Sequence, residues 1–223
     1  MAYKRITVPR ELPRGVDLTR AMVGAGMRLA SKPSTDPNIE DTLLAVSIEG
    51  MDHHDLRVLS VLVTWIQTHH PWINADRLTR VVSSSQSPRV QAFWTATAAW
   101  LHKDRRFARM TKLYSGPCID VLHVGTNFQI MRKGEDPRFE NSFLRVPAGI
   151  LRDRASDVMK PSELARIHRT YRQRVLMGPS YRADMWAVLE NEPTLSASEL
   201  ARRTYGSFAT AWQVKHDFKI LAA

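Results

Sequence analysis

One stretch limits the possible folds of this chain more than any other. After Asp55, the residues Leu56, Leu59, Leu62, Val63 and Ile66 recur at helical spacing, and Val58, Val61 and Trp65 widen the stripe. A helix that is apolar around most of its circumference has to be covered on most sides, so the stretch predicts a core helix surrounded by other helices. It does not predict a membrane span, because Arg57, Ser60 and Thr64 interrupt it well short of the roughly 20 apolar residues a span requires.

The surrounding text supplies partners for that helix. Asn38-Ile39-Glu40-Asp41 opens an apolar segment over residues 42–48, with acids where a helix N-terminus favours them. Asn74 can cap a helix with Leu78, Val81 and Val82 on its inner face. Ser87-Pro88 reads as a cap followed by proline at the first helical position, ahead of Val90, Phe93, Trp94, Thr97 and Leu101. After Arg109 the period changes to short β-rich runs at 110–114, 119–124 and 128–131, with Gly125-Thr126-Asn127 as a hairpin turn between the last two. Three helices followed by a small antiparallel sheet is the layout of a winged helix. Further on, Pro161 starts a basic helix running toward Leu176, and Gly178-Pro179-Ser180 breaks it before a second three-helix pattern.

The expected fold is therefore mainly α with a small β-wing (α+β), built from tandem winged-helix or helix-turn-helix modules. Its parts are a breaker-rich arm (1–37, with one short helical pattern at 18–29), a helical plus winged-helix-like domain (38–150), a basic connecting helix (151–180) and a C-terminal helix-turn-helix domain (181–223).

Charge narrows the class of partner. Of 223 residues, 32 are Lys or Arg and 22 are Asp or Glu, a net charge of +10. A field of that sign concentrates polyanions before any specific contact forms. The excess is local: residues 152–174 carry seven Lys/Arg against three acids. Cys118 is the sole cysteine, so no intrachain disulfide and no cysteine-based zinc site can form. Residues 1–5 lead into no apolar signal core, and the expectation is a cytoplasmic protein without membrane attachment.

The most specific text lies at residues 195–214. Ser196 or Ser198 can cap a short helix in which Leu200 and Ala201 point inward, Tyr205-Gly206 makes a tight turn, and Ser207 caps a second helix. With Ala211, Val214 and Phe218 as the buried seam, the outer face near the helix start carries Ser207, Phe208, Ala209, Trp212 and Gln213. Recognition helices present such positions to base edges. Gln213 can pair bidentately with adenine, and Phe208 or Ala209 can meet a thymine methyl. Arg202, Arg203, Tyr205 and Lys215 would hold phosphates, as would Arg166, Arg169 and Arg172 of the basic helix. Trp212 leaves a protein-binding helix as the alternative, since an exposed tryptophan often anchors an interface.

Residues 73–101 repeat the plan. Here Arg89, Gln91 and Thr95 would face a groove, with Arg105, Arg106 and Arg109 as backbone contacts, and a structural module used for protein contacts is the competing reading. Other chemistry finds no footing. His53-His54 and His69-His70 stand a helix length apart and read as capping and surface histidines rather than as a metal site. Gly206-Ser207 with Asp217 is similar to a nucleotidyltransferase signature, but Lys219 stands where its second aspartate is required. With no phosphate loop, dinucleotide fingerprint or nucleophile elbow, neither an enzyme nor a cofactor is expected.

Residues 194–218 resemble helix-turn-helix segments of bacterial repressors in the order of capping serine, small residues, Gln213 and Val214. More loosely, a short basic chain with winged-helix modules is similar to the AbiEi-type antitoxins. That resemblance implies autorepression and a nucleotidyltransferase toxin as partner, although the best helix-turn-helix here is C-terminal whereas that family's is N-terminal. The expected function is sequence-specific binding of duplex DNA by a transcriptional regulator or antitoxin-type repressor, as a homodimer or with a cognate partner. The alternative is a nucleic-acid- or protein-binding subunit of a larger ribonucleoprotein or defence assembly.

Overall fold

The structure is a computed structural model and describes residues 7–222. It is mainly helical, with one small two-stranded sheet. Helix α1 (Gly15–Gly24) precedes α2 (Ile39–Met51) and α3 (Leu56–His69), which form the centre of the body. Both start at the residue where the sequence opens a helix, and that residue is the cap. Asn38 Oδ1 accepts from the Asp41 amide, and Asp55 Oδ1 accepts from the amides of Arg57 and Val58. Leu59, Leu62, Val63, Trp65 and Ile66 are fully buried, as an all-round apolar helix requires. Gly50 lets α2 and α3 touch: a Cβ there would lie 2.8 Å from Leu59 Cβ.

Helix α4 (Ala75–Ser83), capped by Asn74, and α5 (Pro88–Trp100), capped by Ser87, complete the first half of the body. The segment expected as an arm is part of this body, because Leu18, Met22 and Met27 lie in the same core and Trp65 Nε1 donates to the Ala25 carbonyl. No helix among the described residues is long and apolar enough to cross a membrane.

The period does change after Arg109, but no wing forms. Residues Met110–Lys112 make a 3-10 turn, and β1 (Ile119–Asp120) pairs with β2 (Leu144–Arg145) in parallel, Ile119 opposite Leu144. Between them α6 (Thr126–Lys133) occupies the run expected as a hairpin and strand. Gly125 (φ +83°) and Gly134 (φ +80°) bound that helix, so what reads as turn glycine is a helix boundary. β-rich composition over four residues loses to local i→i+4 bonding when no sheet offers a partner. A parallel pair also needs a long crossover, which α6 and its flanks supply.

The basic helix expected over 161–176 is two helices, α7 (Pro161–Ile167) and α8 (Arg169–Met177). His168 takes extended backbone between them, and its Nδ1 accepts from the Tyr171 amide, capping α8, while Nε2–H donates to the Pro37 carbonyl at 3.1 Å. Burial pulls its pKa down to about 4 and keeps the ring neutral, as an accepting Nδ1 demands. Leu164 and Tyr171 join the core of the body. A second, smaller core forms beyond it among α9 (Tyr181–Asn191), α10 (Ala197–Arg203) and α11 (Phe208–Ala222), around Met185, Leu189, Leu200, Ala201, Ala211 and Val214.

Candidate nucleic-acid interface

The C-terminal unit assembles as the sequence predicts. Ser196 Oγ accepts from the Glu199 amide at 3.1 Å and starts α10. Thr204 to Ser207 turn the chain, with Tyr205 in the left-handed region (φ +58°). At Gly206 a Cβ would lie 2.1 Å from Met185 Cε, so the tip of that methionine packs against the turn. Ser207 Oγ then accepts from the Thr210 amide at 3.0 Å and starts α11. Ala211 and Val214 face α9 and α10, and the Phe218 ring meets Trp186 edge-on at 5.2 Å.

The opposite face of α11 is open to solvent. Phe208 is 41% and Trp212 57% exposed, Ala209 and Gln213 are exposed beside them, and the half-buried Ser207 sits at the start as the cap. The Trp212 indole stacks nearly parallel to the His216 ring, 5.9 Å between centroids. The five expected base-reading residues therefore share one end of one helix.

The expected phosphate contacts fare unevenly, because most are already paired. Glu199 takes Arg202 at 2.5 Å and Arg203 at 2.9 Å, and Arg203 also reaches Glu192 at 2.7 Å. These two guanidiniums, Arg202 first, hold the Glu199 carboxyl down at about 2. Lys215 donates to the carbonyls of Leu195 and Thr194. Arg169 pairs with Asp36 at 2.9 Å and Arg172 with Glu190 at 2.9 Å, whereas Arg166 is exposed and makes no ion pair among the described residues. Ion pairs this exposed are weak because water screens them, so Arg202 and Arg203 can exchange carboxylate for phosphate at small cost.

Tyr205 is not a surface contact. Its ring lies under the Arg77 guanidinium, 3.6 Å from Cζ to centroid, and its hydroxyl donates to Asp41. Burial, helped by the Asp41 charge, pushes this phenol up to about 12. Arg77 also bonds Asp41, whose carboxyl burial pushes up to about 6 against the pull of Arg77. The turn between α10 and α11 is thereby tied to α2 and α4 of the body.

The second candidate module does not present a reading face. Arg89 Nε donates to the Met51 carbonyl at 2.8 Å and Nη2 to the Asp120 carbonyl at 3.1 Å. Gln91 Nε2 donates to the Ser85 carbonyl at 2.8 Å, and Thr95 is buried with its hydroxyl on the Met110 carbonyl. All three close the fold because α5 is enclosed on nearly every side, a position an outward face cannot have. Arg106 is likewise folded back onto Asp104 at 2.5 Å and onto the carbonyls of Ile73 and His70. Arg105 and Arg109 remain exposed, lining with Asp76, Thr79 and Pro179 a cleft of about 340 Å³ where the body meets the C-terminal unit.

Sequence reasoning missed the charged seam beneath that cleft. Arg174, counted toward a basic surface, is buried and grips two carboxylates at once: Glu40 at 2.6 and 2.9 Å, and Asp184 at 2.7 and 3.0 Å. It joins α8 to α2 and α9. His69 is not a surface histidine either. It is buried, its Nε2–H donates to the Met159 carbonyl at 3.0 Å, and its Nδ1 accepts from the Tyr171 hydroxyl at 2.7 Å. No cluster of three or more His, Cys, Asp or Glu among the described residues could hold a metal ion. No family model, curated protein or solved structure matches the chain.

Proposed function

We propose that the chain is a sequence-specific duplex-DNA-binding protein that lays the N-terminal half of α11 into the major groove. The observation that carries this reading is the division of α11 into a seam that packs on α9 and α10 and a capped, solvent-facing end bearing Phe208, Ala209, Trp212 and Gln213. Helices α10 and α11 are then a helix-turn-helix, with Arg202 and Arg203 exchanging Glu199 for phosphates. The net charge of +10 supplies the attraction, Arg105 and Arg166 remain as further phosphate contacts, and Arg109 can exchange Asp76 for a phosphate. The resemblance of residues 194–218 to repressor segments supports a transcriptional regulator, and that to AbiEi-type antitoxins supports an antitoxin-type repressor working with a cognate toxin.

Fluorescence anisotropy with labelled duplex at several salt concentrations tests the reading. The association constant should fall linearly with salt on a log–log plot, and Gln213→Ala should relax sequence preference while Arg202→Ala weakens all sequences alike. Binding that ignores salt, or that neither substitution alters, refutes it. The exposed, stacked Trp212–His216 pair favours one second reading, a protein-docking helix in a larger assembly. Under that reading Trp212→Ala abolishes partner binding and duplex binding never appears.

A further inference from the structure

On the outer side of the C-terminal unit a hydrogen-bonded chain leads from α9 to Gln213. Arg182 Nη2 reaches Asp217 Oδ2 at 3.0 Å, and Gln213 Nε2 donates to Asp217 Oδ1 at 2.8 Å. Arg182 foremost, and then Gln213, hold the Asp217 carboxyl below its ordinary range, so it is an anion at neutral pH and can only accept. This settles which way the Gln213 amide faces on chemical grounds: nitrogen, not oxygen, must point at Asp217. One N–H of Gln213 is thus spent on Asp217, and its other N–H and its Oε1 remain.

One donor and one acceptor on a planar amide complement the N7 acceptor and the N6–H donor that adenine shows in the major groove. Resting on the proposed DNA-binding reading, we infer that Asp217, itself held by Arg182, is a positioning residue that presents the Gln213 amide to adenine, so that α11 reads an A·T pair. A glutamine already held in one orientation gives up less rotamer freedom on binding than a free one. The neighbouring exposed Trp212 and Phe208 fit the same target, since thymine alone among the bases carries a methyl group in that groove.

Selection of preferred duplexes from a randomised pool with the full chain, followed by affinity measurements on the best sequence, tests this. Replacing one adenine of that sequence by 7-deaza-adenine removes only N7, and should weaken the wild-type protein about tenfold while leaving Gln213→Ala unaffected. Asp217→Ala should lose roughly the same discrimination at that one position, with Asp217→Asn recovering part of it through its remaining carbonyl oxygen. Affinity for non-preferred duplex should not fall, since the change removes a negative charge and frees Arg182, and the thermal midpoint should hardly move, which separates positioning from a structural role.

The inference is overturned if no adenine in the selected sequence responds to the 7-deaza change, or if Asp217→Ala discriminates as the wild type does. The 7-deaza arm uses unmodified protein and so stands even where a variant fails to fold. If the pool yields no preferred duplex, the DNA-binding reading fails and the inference with it. If Gln213→Ala relaxes preference but Asp217→Ala does not, only the inference fails.

Discussion

Substituting Arg174 by methionine puts the charged seam to its hardest test. The side chain is 1% exposed, as is fitting for a group that pairs with Glu40 at 0% and Asp184 at 10%. Methionine keeps most of the volume and removes the charge, leaving two carboxylates facing each other in a region that water hardly enters. Breaking a buried pair from one side costs about 3–5 kcal/mol, far more than the 0–1 kcal/mol of a surface pair. Part of that cost is recoverable by protonation. A buried carboxylate without its cation has a folded-state pKa above its unfolded value, so the stability tied to it is present in acid and lost as pH rises through the folded pKa. One proton shared by the facing pair relieves their repulsion and returns about 1.4 kcal/mol per pH unit as pH falls. Urea unfolding of wild type and Arg174→Met at pH 7 and pH 5 is the assay. The difference between the two proteins should shrink by about 2–3 kcal/mol on acidification, and differencing cancels every other titrating group. Adding Glu40→Gln and Asp184→Asn to Arg174→Met should recover most of the loss at pH 7. A penalty below about 1 kcal/mol, or one that does not change with pH, would show that the seam does not hold the two cores together as argued.

The wild-type protein should lose stability below neutrality through its buried histidines. His69 and His168 are both held near a pKa of about 4 against about 6.5 unfolded, so each contributes stability that is complete above pH 6.5 and lost as pH falls toward 4. By pH 5 that amounts to roughly 2 kcal/mol each, and Asp41, raised to about 6, offsets about 1 kcal/mol in the opposite sense. Unfolding curves between pH 7 and pH 5 that show no net loss contradict the neutral assignments. Gly206→Ala should destabilise by no more than about 1 kcal/mol by thermal melting, since its new methyl meets only the flexible tip of Met185, and a larger loss would show that the methionine cannot turn aside. Ser207→Ala removes the cap of α11 and should cost about 1 kcal/mol by thermal melting.

What the sequence discloses here is what depends on nearest neighbours along the chain. The caps at Asn38, Asn74, Ser87, Ser196 and Ser207 all form, because a cap is decided by three or four consecutive residues. The seam of Ala211 and Val214 follows from period alone. Errors gather where partners come from far away. Residues 128–131 lack any local sign that no antiparallel neighbour exists for them, and so a helix bounded by two glycines reads as a hairpin.

Charge fails for the same reason. Arg174 and Arg172 are two residues apart on α8, yet one is sealed between Glu40 and Asp184 and the other lies at the surface on Glu190. Counting arginines measures the field at a distance but not which guanidiniums remain available to a phosphate. Eight of the ten cations and polar groups assigned to backbone contact prove to be occupied within the chain, with Arg105 and Arg166 the exceptions among the described residues. The face proposed to read DNA is a different case. Its exposed end depends on one helix and one turn, both local, and the same i,i+4 spacing that sets the seam also places Asp217 one turn beyond Gln213. That spacing is local, whereas Arg182 is brought from 35 residues away to hold the carboxylate in place.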